Sequence, residues 1–237
     1  MMEARLNRAS WVVKGGVNLR AWFGSRRYSE DLDLDAMGSA PHVLRERFDK
    51  ILLGAPLEDL LTSQGLEIVR FSKPKQTDTT QRWKLELKAV GVSVPLHTKV
   101  EFSRRGTRDE EYVLEPVRSD IVRPYGVPAP TVNHYAARSA IRQKIHALAN
   151  RAETQARDIW DLDHLLRSTN ADPRPLSSDV REALPGALER TTSLGYDVFK
   201  AQVVPYLTDE DRTTYGTRDA WDRMRELVVE RLGEFGS

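Results

Sequence analysis

The chain has 237 residues, 40% hydrophobic and 30% charged, enough for one large domain or two small ones. Lys and Arg total 36 against 35 Asp and Glu, a net charge of +1, so no global basic excess demands nucleic acid, although an uneven distribution leaves RNA open. The lack of cysteine excludes disulfides, thiol catalysis and cysteine-ligated zinc; the opening MMEARLNRAS has no signal-peptide core, and no run approaches the roughly 18 apolar residues of a membrane span, so a cytoplasmic protein with no membrane partner is expected.

The densest pattern is WVVKGGVNLRAWFGSRRYSEDLDLDA, from Trp11 to Ala36. Trp11-Val12-Val13 reads as a strand, and Lys14-Gly15-Gly16 follows it directly. A Gly-Gly pair alone usually marks a tight turn, but after a strand it lets backbone N–H groups turn toward an anion. Asp31-Leu32-Asp33-Leu34-Asp35 reads as a second strand, with the three carboxylates on one face and the leucines on the other. Like charges two residues apart repel and strands disfavour Asp, so a compensating ion is expected. Oxygen-only ligands suit Mg²⁺ or Mn²⁺. A calcium loop and a solvated acidic turn are the alternatives. The EF-hand form fails, because no Gly stands at the sixth loop position and no Glu at the twelfth. Leu32 and Leu34 favour the strand.

Residues 41–63 read as helical, with Leu44, Phe48, Ile51 and Leu52 at helical spacing and a break at Gly54-Ala55-Pro56. Strands are expected over 66–72, 81–89 and 96–103, with 73–80 as a polar hairpin loop. In Lys99-Val100-Glu101-Phe102-Ser103, Val100 and Phe102 point inward while Lys99, Glu101 and Ser103 share the other face. An exposed antiparallel face explains such alternation without any function. Glu101 stands apart, because phosphoryl sites commonly use a third carboxylate on a neighbouring strand as ligand or base. Arg104 and Arg105 face either phosphate or water. Residues 106–130, punctuated by Pro124, Pro128 and Pro130, read as a connector.

The second half reads as helical. Residues 135–151 carry an apolar stripe beside the basic set Arg138, Arg142, Lys144 and Arg151. Residues 156–166 bring Asp158 and Asp161 to one face, which by itself is a solvated acidic face. Helices are expected near 177–190, with a break at Pro185-Gly186, and near 220–232, where Arg218, Arg223 and Arg225 are candidates to face RNA or a partner.

Lys14-Gly15-Gly16 with Leu19-Arg20, then Arg27-Tyr28-Ser29-Glu30-Asp31-Leu32-Asp33-Leu34, resembles the opening motif of the AbiEii/AbiGii-type (MenT-like) toxins. These are nucleotidyltransferase-fold proteins of bacterial toxin–antitoxin systems. Lys99–Arg105 is similar to the family's K-x-E-x-S-x-R strand, and Lys144, Arg151 and Arg157-Asp158-x-x-Asp161-Leu162 to its late motif. Val17 departs from the family's small hydroxyl residue, and the short lead-in before Lys14 implies a reduced N-terminal helix. The resemblance implies Asp31 and Asp33 as metal ligands, with Ser29 beside them. It implies Gly15, Gly16 and Lys14 at the triphosphate, Glu101 within the site, Lys144 facing phosphates and Asp158 orienting the site. Arg157 and Asp161 are secondary members.

The expected architecture is an α/β (α+β) nucleotidyltransferase-like domain over 1–130 and a helical domain over 131–237. The expected activity is Mg²⁺- or Mn²⁺-dependent transfer of NMP from an NTP to RNA, at the 3′ end of tRNA, by a toxin with a cognate antitoxin. The alternatives are transfer to a hydroxyl or amine of a protein or small molecule or to its own Ser29, and a module that binds nucleotide or a partner without turnover.

Overall fold

The computed structural model describes residues 10–104 and 110–236; the expectations placed on residues 1–9 and on Arg105 lie outside them. The fold is α+β, with seven strands and ten helices among the described residues. By contacts the chain forms two compact units, Met1–Val17 with Glu30–His134, and Asn18–Ser29 with Tyr135–Ser237.

The first unit carries β1 (Trp11–Lys14), the opening turn of α1 (Gly15–Phe23), β2 (Asp31–Ala36), α2 (Pro41–Leu52) and α3 (Ala55–Ser63). It continues with β3 (Leu66–Gln76), β4 (Thr80–Ala89), β5 (Leu96–Ser103), β6 (Tyr112–Pro116), the short α4 (Ser119–Val122) and β7 (Thr131–Tyr135). The sheet order is β3-β4-β5-β2-β1-β7-β6. β2 lies near its middle, antiparallel to β1 and parallel to β5. The strand alternation therefore has a physical purpose: Leu34, Val100, Phe102, Trp83 and Leu85 are buried, as are Leu44, Phe48 and Leu52 of α2. Phe48, Trp83 and Phe102 meet edge to face at 4.7–5.9 Å. Asp49 on the same helix accepts from the Trp83 indole at 2.8 Å and fixes α2 on the sheet.

Two loop expectations give way to strand. β3 runs on through Pro74, and the turn shrinks to residues 77–79. This works because β3 is an edge strand with register shifts at Ile68/Arg70 and Ser72/Lys75, where a missing N–H is tolerated. The expected connector over 106–130 is also corrected: Tyr112–Pro116 forms β6, which takes the far edge of the sheet beside β7.

The second unit holds Asn18–Ser29, α5 (Ala137–Asn150), α6 (Ala156–Ser168), α7 (Ser178–Ser193), α8 (Tyr196–Gln202), α9 (Asp209–Tyr215) and α10 (Arg218–Gly236). Its core joins Leu19 to Ile141, Ile145, Leu148, Ile159, Leu162, Leu165, Trp221 and Val228. The expected break at Pro185-Gly186 is absent, and α7 passes through it. Gly186 instead allows a close approach, since a Cβ there would lie 3.6 Å from the Ala149 Cβ of α5. Of the C-terminal arginines, Arg218 lies over the Tyr196 ring at 4.9 Å and Arg225 pairs with Asp222 at 2.6 Å, while Arg223 is exposed. No helix among the described residues is long and apolar enough to cross a membrane.

Phe102→Ala is expected to destabilise the protein by about 3–5 kcal/mol, because it empties a fully buried aromatic site. Val94→Ala, at a residue 68% exposed, is expected to stay within about 0.5 kcal/mol. Urea denaturation of the two variants beside wild type checks both values.

Candidate functional site

In the first unit the pleat turns one face of the sheet into rows of charge. Across β1, β2, β5 and β4 the register aligns Lys14 with Asp33, Asp33 with Glu101, and Glu101 with Arg82. One row further along, Asp31 stands opposite Lys99. Strand neighbours in register have Cβ atoms about 5 Å apart, so these groups interact directly. Lys99 Nζ lies 2.9 Å from an Asp31 carboxylate oxygen, and Arg82 lies 2.6 Å from Glu101. Lys14 reaches diagonally to Asp35 at 2.6 Å, and Asp35 is buried.

Asp33 lies between these pairs. Burial pushes its carboxyl above the ordinary range; Lys99 and Lys14 pull it down, and the neighbouring Glu101 and Asp31 push it up. The net result is a carboxylate whose charge is only partly compensated by the protein.

Gly15 explains how the chain leaves β1 beside this group. Its φ of +69° is the left-handed region, and a Cβ there would stand 3.1 Å from an Asp33 carboxylate oxygen. Any side chain at this position would occupy the space beside Asp33. The chain then enters α1 at once, so Gly15 and Gly16 form a helix start. The first turn of α1 has no acidic residue. Its N–H groups and the positive end of the helix dipole suit an anion.

Among the described residues no three His, Asp or Glu side chains are grouped so as to hold a metal by themselves. A Mg²⁺ bound by two carboxylates and completed by water and phosphate needs no third. Asp31 and Asp33 on one strand face, both half-buried, with a glycine that places no side chain beside Asp33, fit that donor set. Arg104, proposed from sequence to face either phosphate or water, is engaged within its own unit by Gln81 at 2.7 Å and the Ser39 carbonyl at 3.3 Å.

The second unit brings together Lys144 and Asp158, with Asp161. Asp158 and Asp161 are fully buried, so the reading of α6 as a solvated acidic face is corrected. Lys144 Nζ lies 3.0 Å from Asp158 and 2.6 Å from Asp161. Arg151 closes one end on Asp158 at 2.6 Å, and Arg27 closes the other on Asp161 at 3.2 Å. The charges alternate as Arg27, Asp161, Lys144, Asp158, Arg151. Burial alone would raise the Asp161 carboxyl, but Lys144 and Arg27 outweigh it and lower the pKa to about 2. Arg157 is half-buried in the first turn of α6, and Ser29 is half-buried between α1 and β2. Sequence reading passed over Arg82 as a site neighbour, Asp35 as the partner of Lys14, and Arg27 as the partner of Asp161. Arg82 and Asp35 carried a usable signal in opposite charge on facing strands, whereas Arg27 lies 134 residues from Asp161 and carried none.

A family model described as nucleotidyl transferase AbiEii toxin, Type IV TA system, matches residues 2–230. Among solved structures, JHP933 from Helicobacter pylori is similar with a TM-score of 0.57 and 19% identity, covering 95% of this chain and 86% of that one. A candidate nucleotidyltransferase from H. pylori gives a TM-score of 0.58 and 19% identity, covering 95% and 88% respectively. No curated protein matches the chain at a significant level.

Asp161→Ala, which removes the carboxylate facing Arg27 and leaves Lys144 with Asp158, is expected to destabilise the protein by about 3–5 kcal/mol. The pH dependence has a definite sign. With the Asp161 pKa lowered to about 2 in the folded state, below the roughly 3.9 of an unfolded Asp, its stabilisation is complete above about pH 5 and fades as pH falls toward 2. Urea unfolding should therefore show the gap between wild type and Asp161→Asn narrowing from pH 7 to pH 2.5.

Proposed function

The chain belongs to the AbiEii nucleotidyl transferase toxin family, and from that premise we propose that it transfers a nucleoside monophosphate from an NTP to the 3′ end of tRNA. Family membership makes it a nucleotidyltransferase toxin of a toxin–antitoxin system and implies an antitoxin partner. Acceptor, metal and compartment are the proposal: tRNA, Mg²⁺ or Mn²⁺, and the cytoplasm. The observation that carries the reading is Asp33, a half-buried carboxylate in line with Lys14, Glu101 and Arg82, beside the glycine start of α1.

Asp31 and Asp33 are the proposed metal ligands, and a divalent ion held there supplies, when bound, positive charge at the phosphates. Gly15, Gly16 and the first turn of α1 seat the triphosphate through backbone N–H groups. Lys14 and Lys99, both already on this face, take phosphate oxygens as alternative partners to their carboxylates. Glu101, held by Arg82, is the proposed acceptor of the proton from the attacking hydroxyl. The hydroxyl oxygen forms a bond to the α-phosphorus, and the bond to pyrophosphate breaks with its electron pair leaving on pyrophosphate. Lys144, Asp158 and Arg157, all in the second unit, are proposed as further residues required for transfer.

Each α-³²P-labelled NTP, with Mg²⁺ and with or without total tRNA, tests the proposal. Label is expected in tRNA with wild type only. Asp31→Asn and Asp33→Asn are expected to lower transfer by more than about a hundredfold. Asp33→Asn should keep or raise the melting temperature, because it removes a half-buried negative charge next to Asp31 and Glu101. Label confined to the protein band would replace RNA by self-modification, and undiminished transfer in both variants would overturn the site.

A further inference from the structure

Arg20 and Tyr28 belong to the second unit, and no role has so far been assigned to either side chain. The Arg20 guanidinium lies over the Tyr28 ring, 3.8 Å from its centroid. Arg20 Nη1 also donates to the carbonyls of Ser25 and Arg26, at 3.2 and 3.4 Å, which ties the guanidinium to the backbone of the same segment. The Tyr28 backbone is held at both ends. Its N–H donates to the Tyr206 carbonyl at 2.9 Å, and its carbonyl accepts from Arg27 Nη1 at 3.0 Å. Arg27 is itself fixed on the fully buried Asp161. The side chain is treated differently from the backbone, since Tyr28 is 46% exposed.

A tyrosine kept for packing is buried, and a tyrosine of no consequence has no reason to have its backbone fixed through a buried ion pair. Here a backbone fixed on both sides presents an aromatic ring that has a cation over one face and is 46% exposed. A π-face backed by a guanidinium, three residues before Asp31 in the chain, suits a ligand with a flat aromatic ring. We infer that Tyr28, backed by Arg20, is the stacking platform for a nucleobase of the substrate. The inference rests on the nucleotidyl-transfer reading for the class of ligand. Stacking tolerates any base, because every base has a π-face. The base comes from the NTP or from the RNA acceptor, and equilibrium binding separates the two.

The experiment measures binding of each NTP, of ribose 5′-triphosphate without a base, and of a short single-stranded RNA. The proteins are wild type, Tyr28→Phe and Tyr28→Leu, compared after their melting temperatures are matched. Tyr28→Leu is expected to weaken a base-carrying ligand by about five- to a hundredfold, the loss of one aromatic–base stack. Tyr28→Phe should bind like wild type, and ribose triphosphate should bind all three proteins equally. Weaker NTP binding with unchanged RNA binding assigns the platform to the NTP, and the reverse assigns it to the acceptor. Unchanged affinities in Tyr28→Leu, or equal weakening of ribose triphosphate and NTP, would overturn the inference. Binding is read without turnover, so a protein that stacks bases on Tyr28 but transfers nothing contradicts the transfer reading alone.

Discussion

Everything at the acidic strand follows from placing carboxylates side by side on a sheet. Asp31, Asp33 and Asp35 cannot leave their common face, because Leu34 on the opposite face is held in the core. The sheet answers with cations in register or on the diagonal: Lys99 for Asp31, Lys14 for Asp35, and Arg82 for the neighbouring Glu101. Among the described residues Asp33 has no such close cation of its own, and burial raises its pKa while Lys99 and Lys14 only partly offset it. A protein optimised for stability alone would place an apolar or amide side chain there. Holding the charge instead is the kind of local penalty that functional sites retain.

The second unit solves a different electrostatic problem. Five alternating charges are held together, and both carboxylates are fully buried. Such a set contributes little net stability compared with apolar residues of the same size, yet it is strongly destabilised by removing one member. Its effect is to fix positions. Lys144 is held between two carboxylates, and Arg27 ties the segment before β2 to α6. That segment carries Tyr28 and Ser29, so the buried charges determine how an exposed aromatic is presented.

The legible part of the fold was whatever depended on local period. The β2 alternation, the α2 stripe and the β4 and β5 strands all followed from spacings of two or 3.6 residues. Long-range pairing was the illegible part. Asp158 and Asp161 look like a solvated face because a helix sequence does not reveal that Lys144, Arg151 and Arg27 will meet them. Lys14 looked like a phosphate ligand, and its pairing with Asp35 depends on the register of β1 against β2. Pro74 and Pro185 misled for a related reason. A proline signals a break from its own chemistry, but an edge strand and a well-packed helix absorbed it through their surroundings. The candidate site residues themselves were named from motifs, and the geometry adds the partners that give each one a physical setting.

On the proposed reading, the partly compensated charge at Asp33 awaits a divalent cation that arrives with a nucleotide. The most direct measurement is calorimetric titration of wild type and Asp33→Asn with an NTP analogue that cannot be cleaved between its α- and β-phosphates, in Mg²⁺ and in EDTA. Mg²⁺ is expected to strengthen nucleotide binding to wild type and to add nothing to Asp33→Asn. Equal strengthening in both proteins, or no effect of Mg²⁺ on wild type, would contradict it.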